Sequence, residues 1–192
     1  MNNTTRKLAA ILAAAMLSVP AAAQEESDKS GFFVAPEVGQ VKAKDYCDQF
    51  PSSWSCEDSE IMFGISGGYQ FNEFFAAEGG VRFASGFDFT SQDGSVNGDV
   101  DFMSFSIGGR ARLPFGGNFA ATGKAGFHFW EADASITGTT SVELSDDDTD
   151  PYFGGGLEFI ASDNIAVRAE YTRYQLDDDD ADVISGAVVV RF

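Results

Sequence analysis

The sequence predicts an all-β protein: an eight-stranded antiparallel transmembrane β-barrel, an up-and-down meander, after a cleaved helical signal peptide. Three observations carry this prediction. Apolar and polar residues alternate at period two from residue 31 onward, which is typical of strands with two different faces. Short turns alternate with longer polar connections, as in transmembrane barrels. After residue 23 no stretch approaches the roughly 20 apolar residues that a membrane helix needs.

The N-terminus has the pattern of an export signal. Arg6 and Lys7 form a short basic region, an apolar run follows over residues 8–19, and three alanines at residues 21–23 provide a cleavage site. The apolar run is too short to cross a bilayer as a helix. We expect residues 1–23 to be a signal peptide, residues 24–30 a short lead and residues 31–192 the barrel.

Eight segments show the alternation of strands. The clearest begins at Phe75, where odd positions are apolar or small while Glu78 and Arg82 lie among the even ones. The strand candidates are residues 32–41, 61–71, 75–87, 103–113, 121–129, 153–159, 165–172 and 184–192. Short turns are predicted at residues 70–73, 114–118 and 162–164, and longer loops at residues 42–60, 88–99, 133–150 and 177–182.

The polarity of the two faces separates a membrane barrel from a soluble β-sandwich or a lipocalin-like barrel, which also alternate. A soluble barrel points its apolar face inward. Here that face carries many of the 19 Phe residues, and eight strands cannot pack so many on an inner face without a second layer. No helix is available to supply that layer. The sequence therefore favours Phe residues that face lipid around a polar lumen.

Strand parity directs ten charged side chains into the lumen. Because side chains fill the interior of an eight-stranded barrel, charges buried there must be paired and hydrogen-bonded. Arg112 and Arg191 share this parity, but we expect them in interfacial water near the rims. The predicted lumen charge network consists of Glu37, Glu78, Arg82, Arg110, Lys124, Glu158, Arg168 and Glu170.

The four predicted long loops, together with Asp101 just beyond the second, hold twenty of the 30 acidic residues, and the formal net charge of −18 argues against a nucleic-acid partner. Such clusters are typical of solvated loops. Divalent-cation binding that bridges to lipopolysaccharide is the alternative, although no acidic run matches a calcium-loop pattern. Extracellular ligands that meet these acidic loops remain a further hypothesis.

Cys47 and Cys56 are the only cysteines, and an even count in an exported protein predicts a disulfide. The alternatives are two free thiols or a metal pair. A metal pair is disfavoured because the chain has one histidine and no second cysteine pair.

The sequence predicts no enzyme, no cofactor and no metal site. His128, the only histidine, has lumen parity beside Lys124, and no serine near it in sequence has catalytic spacing. The glycines at residues 154–156 lie within a strand rather than between a strand and a helix, so they do not form a phosphate loop.

Several segments resemble the OmpA-type transmembrane domain and the wider group of small outer-membrane β-barrel proteins. They read PYFGGGLEF at residues 151–159, IAVRAEY at residues 165–171, VVVRF at residues 188–192, GFFV at residues 31–34 and EGGVRF at residues 78–83. The resemblance implies a charged lumen, in which Glu78, Arg110, Lys124, Glu158 and Arg168 occupy suitable positions. It also implies that Phe192 is a recognition signal for the barrel-assembly machinery.

We therefore expect an integral, non-enzymatic protein of a Gram-negative-type outer membrane with a structural or surface-interaction role in membrane integrity, adhesion or antigenicity. Its expected partners are outer-membrane lipids, lipopolysaccharide and the assembly machinery. The chain stops at the barrel, so no peptidoglycan-binding domain is expected. The alternatives are a narrow ion-conducting pore and, third, a lipid-A-modifying enzyme, which would have to use His128.

Overall fold

The structure, a computed structural model, describes residues 30–43, 47, 54–56, 58–137, 142–176 and 179–192. The predicted signal peptide, residues 1–23, and the lead up to residue 29 lie outside these ranges. Within the described residues there is no helix with the length and hydropathy needed to cross a membrane.

The described strands form one antiparallel sheet that closes on itself. The bounds are β1 Gly31–Ala43, β2 Ser55–Cys56, β3 Ser59–Gln70, β4 Phe75–Thr90, β5 Asn97–Phe115, β6 Phe119–Thr137, β7 Val142–Ile160, β8 Ile165–Leu176 and β9 Asp179–Arg191. Each long strand pairs with its neighbours in sequence, apart from the interposed β2, and β1 pairs with both β3 and β9. The predicted eight-stranded meander is confirmed, and the two-residue strand β2 is an addition to it.

The barrel closes where β1 pairs with β9. Phe33 lies opposite Arg191 at one end of this seam and Ala43 lies opposite Ala181 at the other. Closure satisfies the backbone groups of every long strand on both sides within the barrel wall. This is what a sheet needs in hydrocarbon, where no water can pair with an open edge.

The outer face is apolar and the inner face is filled, which rules out the soluble alternatives. Phe63 and Leu113 are 62% and 64% exposed, whereas even-numbered neighbours such as Arg82 and Glu158 are buried. A soluble barrel would show the reverse arrangement. Outward-facing large apolar side chains include Phe75, Phe83, Phe105, Ile107, Phe127, Phe129, Phe153, Leu157, Phe159, Val167, Ile184 and Val188.

Short turns occupy one end of the barrel, which we call the turn end. The first is held by Asn72, whose side-chain oxygen accepts hydrogen bonds from the backbone N–H groups of Phe74 and Phe75 at 2.8 and 3.0 Å. Gly116 and Gly117, between β5 and β6, have φ angles of 58° and 81°, which favour glycine. Both termini of the barrel lie at this end, as the even strand count requires.

At the opposite end, the loop end, the predicted long loops are too long: β9 already begins at Asp179, inside the predicted loop 177–182, and the difference is largest at the loops 88–99 and 133–150. The strands β4 and β5 remain paired as far as Thr90 opposite Asn97, and β6 and β7 remain paired as far as Ile136 opposite Val142. The sequence did not predict these strand extensions, because they contain several acidic residues and acidic residues are rare in sheets.

These extensions form a sheet that continues beyond the loop-side ends of β1, β3, β8 and β9. We call it the protruding sheet, and it comprises residues 55–56, 85–90, 97–103, 130–137 and 142–151.

Candidate functional site: the lumen and the protruding sheet

The lumen consists of a charged layer between two apolar clusters, so the prediction of a polar lumen is wrong for both of its ends. Sequence parity identified the charges, but it did not assign the large apolar residues at the two ends of the lumen, such as Phe33, Met62 and Tyr174, to the interior. The turn-end cluster contains Phe33, Ala35, Ala76, Ala166, Ala187 and Val189. The loop-end cluster contains Val41, Met62, Ala84, Tyr152, Tyr174, Ala181 and Val183.

Arg110 lies at the centre of the charged layer. Its Nε and Nη2 donate to separate oxygens of Glu78, each at 2.8 Å, in a bidentate pair. Its Nη1 also donates to Glu170 on β8. One guanidinium therefore joins the carboxylates of two strands across the lumen, and the fork geometry of arginine suits this role better than a lysine would.

Glu170 gathers further cations around this centre. Lys124 Nζ and Arg168 Nε each lie 3.3 Å from its Oε2, and the hydroxyl of Thr122 donates to its Oε1 at 3.4 Å. Arg168 Nη1 lies 3.5 Å from Glu78. The two carboxylates and three cations form one connected cluster, which spans β4, β5, β6 and β8.

A second group lies towards the loop end. Arg82 Nε is 2.8 Å from Oε1 of Glu37, and its Nη1 donates to the hydroxyl of Ser106 at 2.8 Å. Its guanidinium carbon also lies 5.6 Å from the ring centre of Tyr174. This cation–π contact joins the charged layer to the loop-end cluster.

The third group corrects the expectation for Arg112 and Arg191. Arg112 Nε and Arg191 Nη2 both donate to Oε1 of Glu158, at 2.8 and 2.6 Å. Their side chains are only 9% and 21% exposed. Both arginines therefore belong to the lumen network rather than to interfacial water, and their inward parity was the better guide.

All eight residues of the predicted network are buried, and each has at least one ionic partner of opposite sign. Desolvation of two charges can exceed their attraction, so such pairs are weak evidence of net stabilisation. Removing one partner is different, because the remaining charge would then be buried without compensation. Loss of any one member of the network is therefore expected to lower the stability of the barrel.

His128 is fully buried and makes two hydrogen bonds. Its Nε2 donates to the carbonyl of Gln175 at 2.9 Å, so its Nδ1 accepts from the hydroxyl of Ser104 at 3.3 Å. Sequence reasoning missed this serine because it lies on the neighbouring strand β5, 24 residues away from His128 along the chain. Neither of these partners is a carboxylate, and the ring is covered by Tyr174 at 4.9 Å between centroids.

The predicted disulfide joins Cys47 to Cys56. Cys56 lies in β2, which pairs with β4 through Ser55 opposite Thr90. The indole of Trp54 stacks on Phe89 of β4 at 6.2 Å. The bridge and the stacked rings together hold β2 against β4 at the edge of the protruding sheet.

The protruding sheet is acidic, and its charged side chains are exposed. The segments of residues 83–109 and 125–167 contain no lysine or arginine. The exposed acids of the sheet are Asp99, Asp101, Glu131, Asp133, Glu143, Asp146, Asp147 and Asp148. In the described part of the chain, no three His, Cys, Asp or Glu residues are grouped so that they could hold a metal ion.

Phe192 closes the described chain at the turn end. Its backbone N–H donates to the carbonyl of Phe32 at 2.9 Å. Its side chain is 68% exposed, whereas Arg191 turns inward to Glu158. The side chain is therefore accessible at the turn end, and its role as an assembly signal stays a prediction.

A closed antiparallel barrel with an apolar outer surface and a charged, filled lumen defines an outer-membrane β-barrel protein. Residues 9–192 match the model of the outer membrane protein β-barrel domain, and the chain belongs to this family, which places it in the Gram-negative outer membrane. Outer membrane protein A of Shigella flexneri is 23% identical over 172 residues. The match covers 86% of this chain but 47% of that relative.

Two solved structures share the fold. Ail of Yersinia pestis, in complex with the heparin analogue sucrose octasulfate, superposes with a TM-score of 0.57 at 20% identity, covering 85% of this chain and 97% of Ail. Neisserial surface protein A superposes with a TM-score of 0.61 at 15% identity, covering 85% and 99% of the two chains.

Proposed function

We propose that this protein is a non-enzymatic surface-interaction protein, in which the barrel is a closed anchor and the protruding sheet contacts a positively charged extracellular partner. The single observation that carries the proposal is the charge of the sheet, which has exposed carboxylates on both faces and no basic residue. Such a one-signed surface attracts cations over roughly a Debye length, about 8 Å at physiological salt.

The chemistry of the partner follows from this charge. The two basic side chains described near the loop end are already paired, Lys42 with Asp58 at 3.3 Å and Arg173 with Asp182 at 2.7 Å. A sulfated ligand such as the one bound to Ail would meet repulsion on the protruding sheet. A partner rich in lysine or arginine would meet attraction.

The filled lumen supports the anchor role over the alternative of an ion-conducting pore. The apolar clusters lie above and below the charged layer, and an ion that crossed them would lose its hydration without compensation. We expect little or no conductance from the barrel in its described state.

One observation could support the enzyme alternative, namely the contact between Ser104 and His128. Both side chains are buried, 1% and 0% exposed, and both nitrogens of the ring are engaged. A lipid substrate on the outer face cannot reach this serine through the barrel wall. We assign His128 to packing of the lumen.

The outer face and the turn end suggest the remaining partners. The apolar belt on the outer face of the barrel would contact phospholipid and lipopolysaccharide chains. The exposed Phe192 at the turn end would contact the barrel-assembly machinery in the periplasm. Export would rest on residues 1–23, outside the described residues.

The test is binding of a decalysine peptide to the full chain in lipid nanodiscs at low and physiological salt. Replacing Asp146, Asp147 and Asp148 by Asn should weaken binding about tenfold at low salt, since each exposed ion pair contributes little alone. The matched control is Asp163→Asn, an exposed acid at the turn end. Decalysine affinity that is unchanged in the triple variant would overturn the proposal.

A further inference from the structure

The protruding sheet has two edges, which differ in whether another strand pairs with them. On one side, β4 loses β3 as a partner above Ala84, but β2 takes its place opposite Phe89 and Thr90. The disulfide and the stacked Trp54 hold β2 there. This edge is therefore covered at its outer end.

The other edge is the outer part of β7. The pairing of β7 with β8 begins at Tyr152 opposite Tyr174, whereas its pairing with β6 continues out to Val142. Among the described strands, none pairs with the other side of residues 142–151. This open edge is ten residues long, or about 30 Å at ~3.3 Å per residue.

The open side of β7 can be assigned residue by residue. The N–H of Ile160 donates to Asn118 on the β6 side, so even-numbered amides of β7 point towards β6 and odd-numbered amides point outward. Pro151, which lacks an N–H, occupies an outward position at the base of the edge. This is where a sheet tolerates proline.

Two of the outward amides are capped by the strand's own carboxylates. The N–H of Asp147 donates to Asp146 Oδ1 at 3.1 Å, and the N–H of Thr149 donates to Asp148 Oδ1 at 2.6 Å. Both residues are exposed, and no other group of the described residues pairs with these two donors. A group that draws these carboxylates away would release N–H groups spaced for a further strand.

We infer that the open edge of β7 binds an extended, lysine- or arginine-bearing segment of a partner by β-strand addition. The partner's cations would pair with Asp146 and Asp148, and its backbone carbonyls would take over the released N–H groups. This inference rests on the proposed function and adds the mode of contact: the backbone supplies the pairing, and the charge supplies the selectivity. A second copy of this chain is disfavoured because its own edge carries the same negative charge.

The experiment compares two peptides against the full chain in nanodiscs. One is KVTVKVTVK, and the other has the same sequence with N-methyl groups on all of its backbone amides, which preserves charge but blocks strand pairing along either edge. The first should bind about tenfold more tightly, the contribution of one or two net hydrogen bonds. It should also slow amide exchange at Ser145, Asp147 and Thr149.

A backbone variant makes the test specific. Thr149→Pro removes an outward N–H without touching the pairing to β6, and it should reduce the affinity for KVTVKVTVK to that of the methylated peptide. The Ser145→Ala variant, which keeps the backbone N–H, is the control, and heat-modifiability on gels verifies that both variants are folded.

Equal binding of the two peptides without amide protection would overturn strand addition and leave the proposed function standing. Absence of binding by either peptide would overturn both, and self-association through the edge would overturn the assignment of the occupant.

Discussion

Arg110 and Glu78 form a bidentate ion pair in the middle of the lumen, with two N–H groups of one side chain each 2.8 Å from a different oxygen of the other. Both side chains are buried, 3% and 5% exposed. The pair joins β4 to β5 and connects to Glu170 on β8 through the same guanidinium. A single buried side chain thus holds together strands from opposite parts of the barrel wall.

Breaking this pair on one side should destabilise the barrel. Glu78→Gln or Arg110→Met leaves a buried charge without its partner, so we expect the free energy of unfolding to fall by ~3–5 kcal/mol for either variant. The double variant should lose less than the sum, since it removes both charges. Urea unfolding in lipid vesicles, followed by heat-modifiability, measures this coupling, with Glu131→Gln on the exposed sheet as the control. Strictly additive losses would mean that the two residues are not coupled.

Glu158 provides an independent test of the lumen. Its Oε1 accepts from both Arg112 and Arg191, so Glu158→Gln should leave two cations near the turn end without a carboxylate. We expect a loss of stability comparable to that of Glu78→Gln, together with faster amide exchange at the β9 seam. Unchanged exchange near Arg191 would place these arginines in interfacial water after all.

Arginine substitutions can test which outward-facing residues of the sheet contact lipid. Ile107 is outward-facing and 56% exposed in the membrane-spanning part of β5, so Ile107→Arg should cost about 2–4 kcal/mol of stability in a bilayer. Leu144→Arg is the matched control, because Leu144 is equally exposed at 57% but lies in the protruding sheet. Equal losses for the two variants would contradict the boundary between the lipid-facing barrel and the protruding sheet.

The turn between β4 and β5 should respond to acid. The hydroxyl of Ser95, with further hydrogen bonds from the hydroxyl of Ser91 and the amide of Ser95, lowers the pKa of Asp93 to about 2. A carboxyl with a lowered pKa stabilises the fold above its ordinary value near 3.8 and loses that contribution as the pH falls towards 2. NMR titration should show the Ser95 amide losing protection over this window. In Asp93→Asn this pH dependence should be absent, and loss of protection already at pH 5 would contradict the assignment.

Period-two alternation was enough to predict the strands of the barrel, because each residue of a membrane barrel faces either lipid or lumen. It identified Glu78, Arg110 and Glu170 without showing how they pair, since register depends on contacts between strands. It failed beyond the barrel, where both faces of β7 are solvated and Asp146, Asp147 and Asp148 remove the alternation. Contacts across strands, such as Ser104 with His128, have no signal in the spacing of a single sequence.

Labelling of intact cells tests directly whether a closed membrane barrel presents an acidic sheet to the outside of the cell. Asp147→Cys places a thiol on the protruding sheet, and Asp163→Cys places one at the turn end, both at exposed positions. A maleimide that cannot cross membranes should label Cys variants at position 147 on intact cells, and those at position 163 only after the outer membrane is permeabilised. Labelling at position 163 but not at position 147 on intact cells would contradict the account.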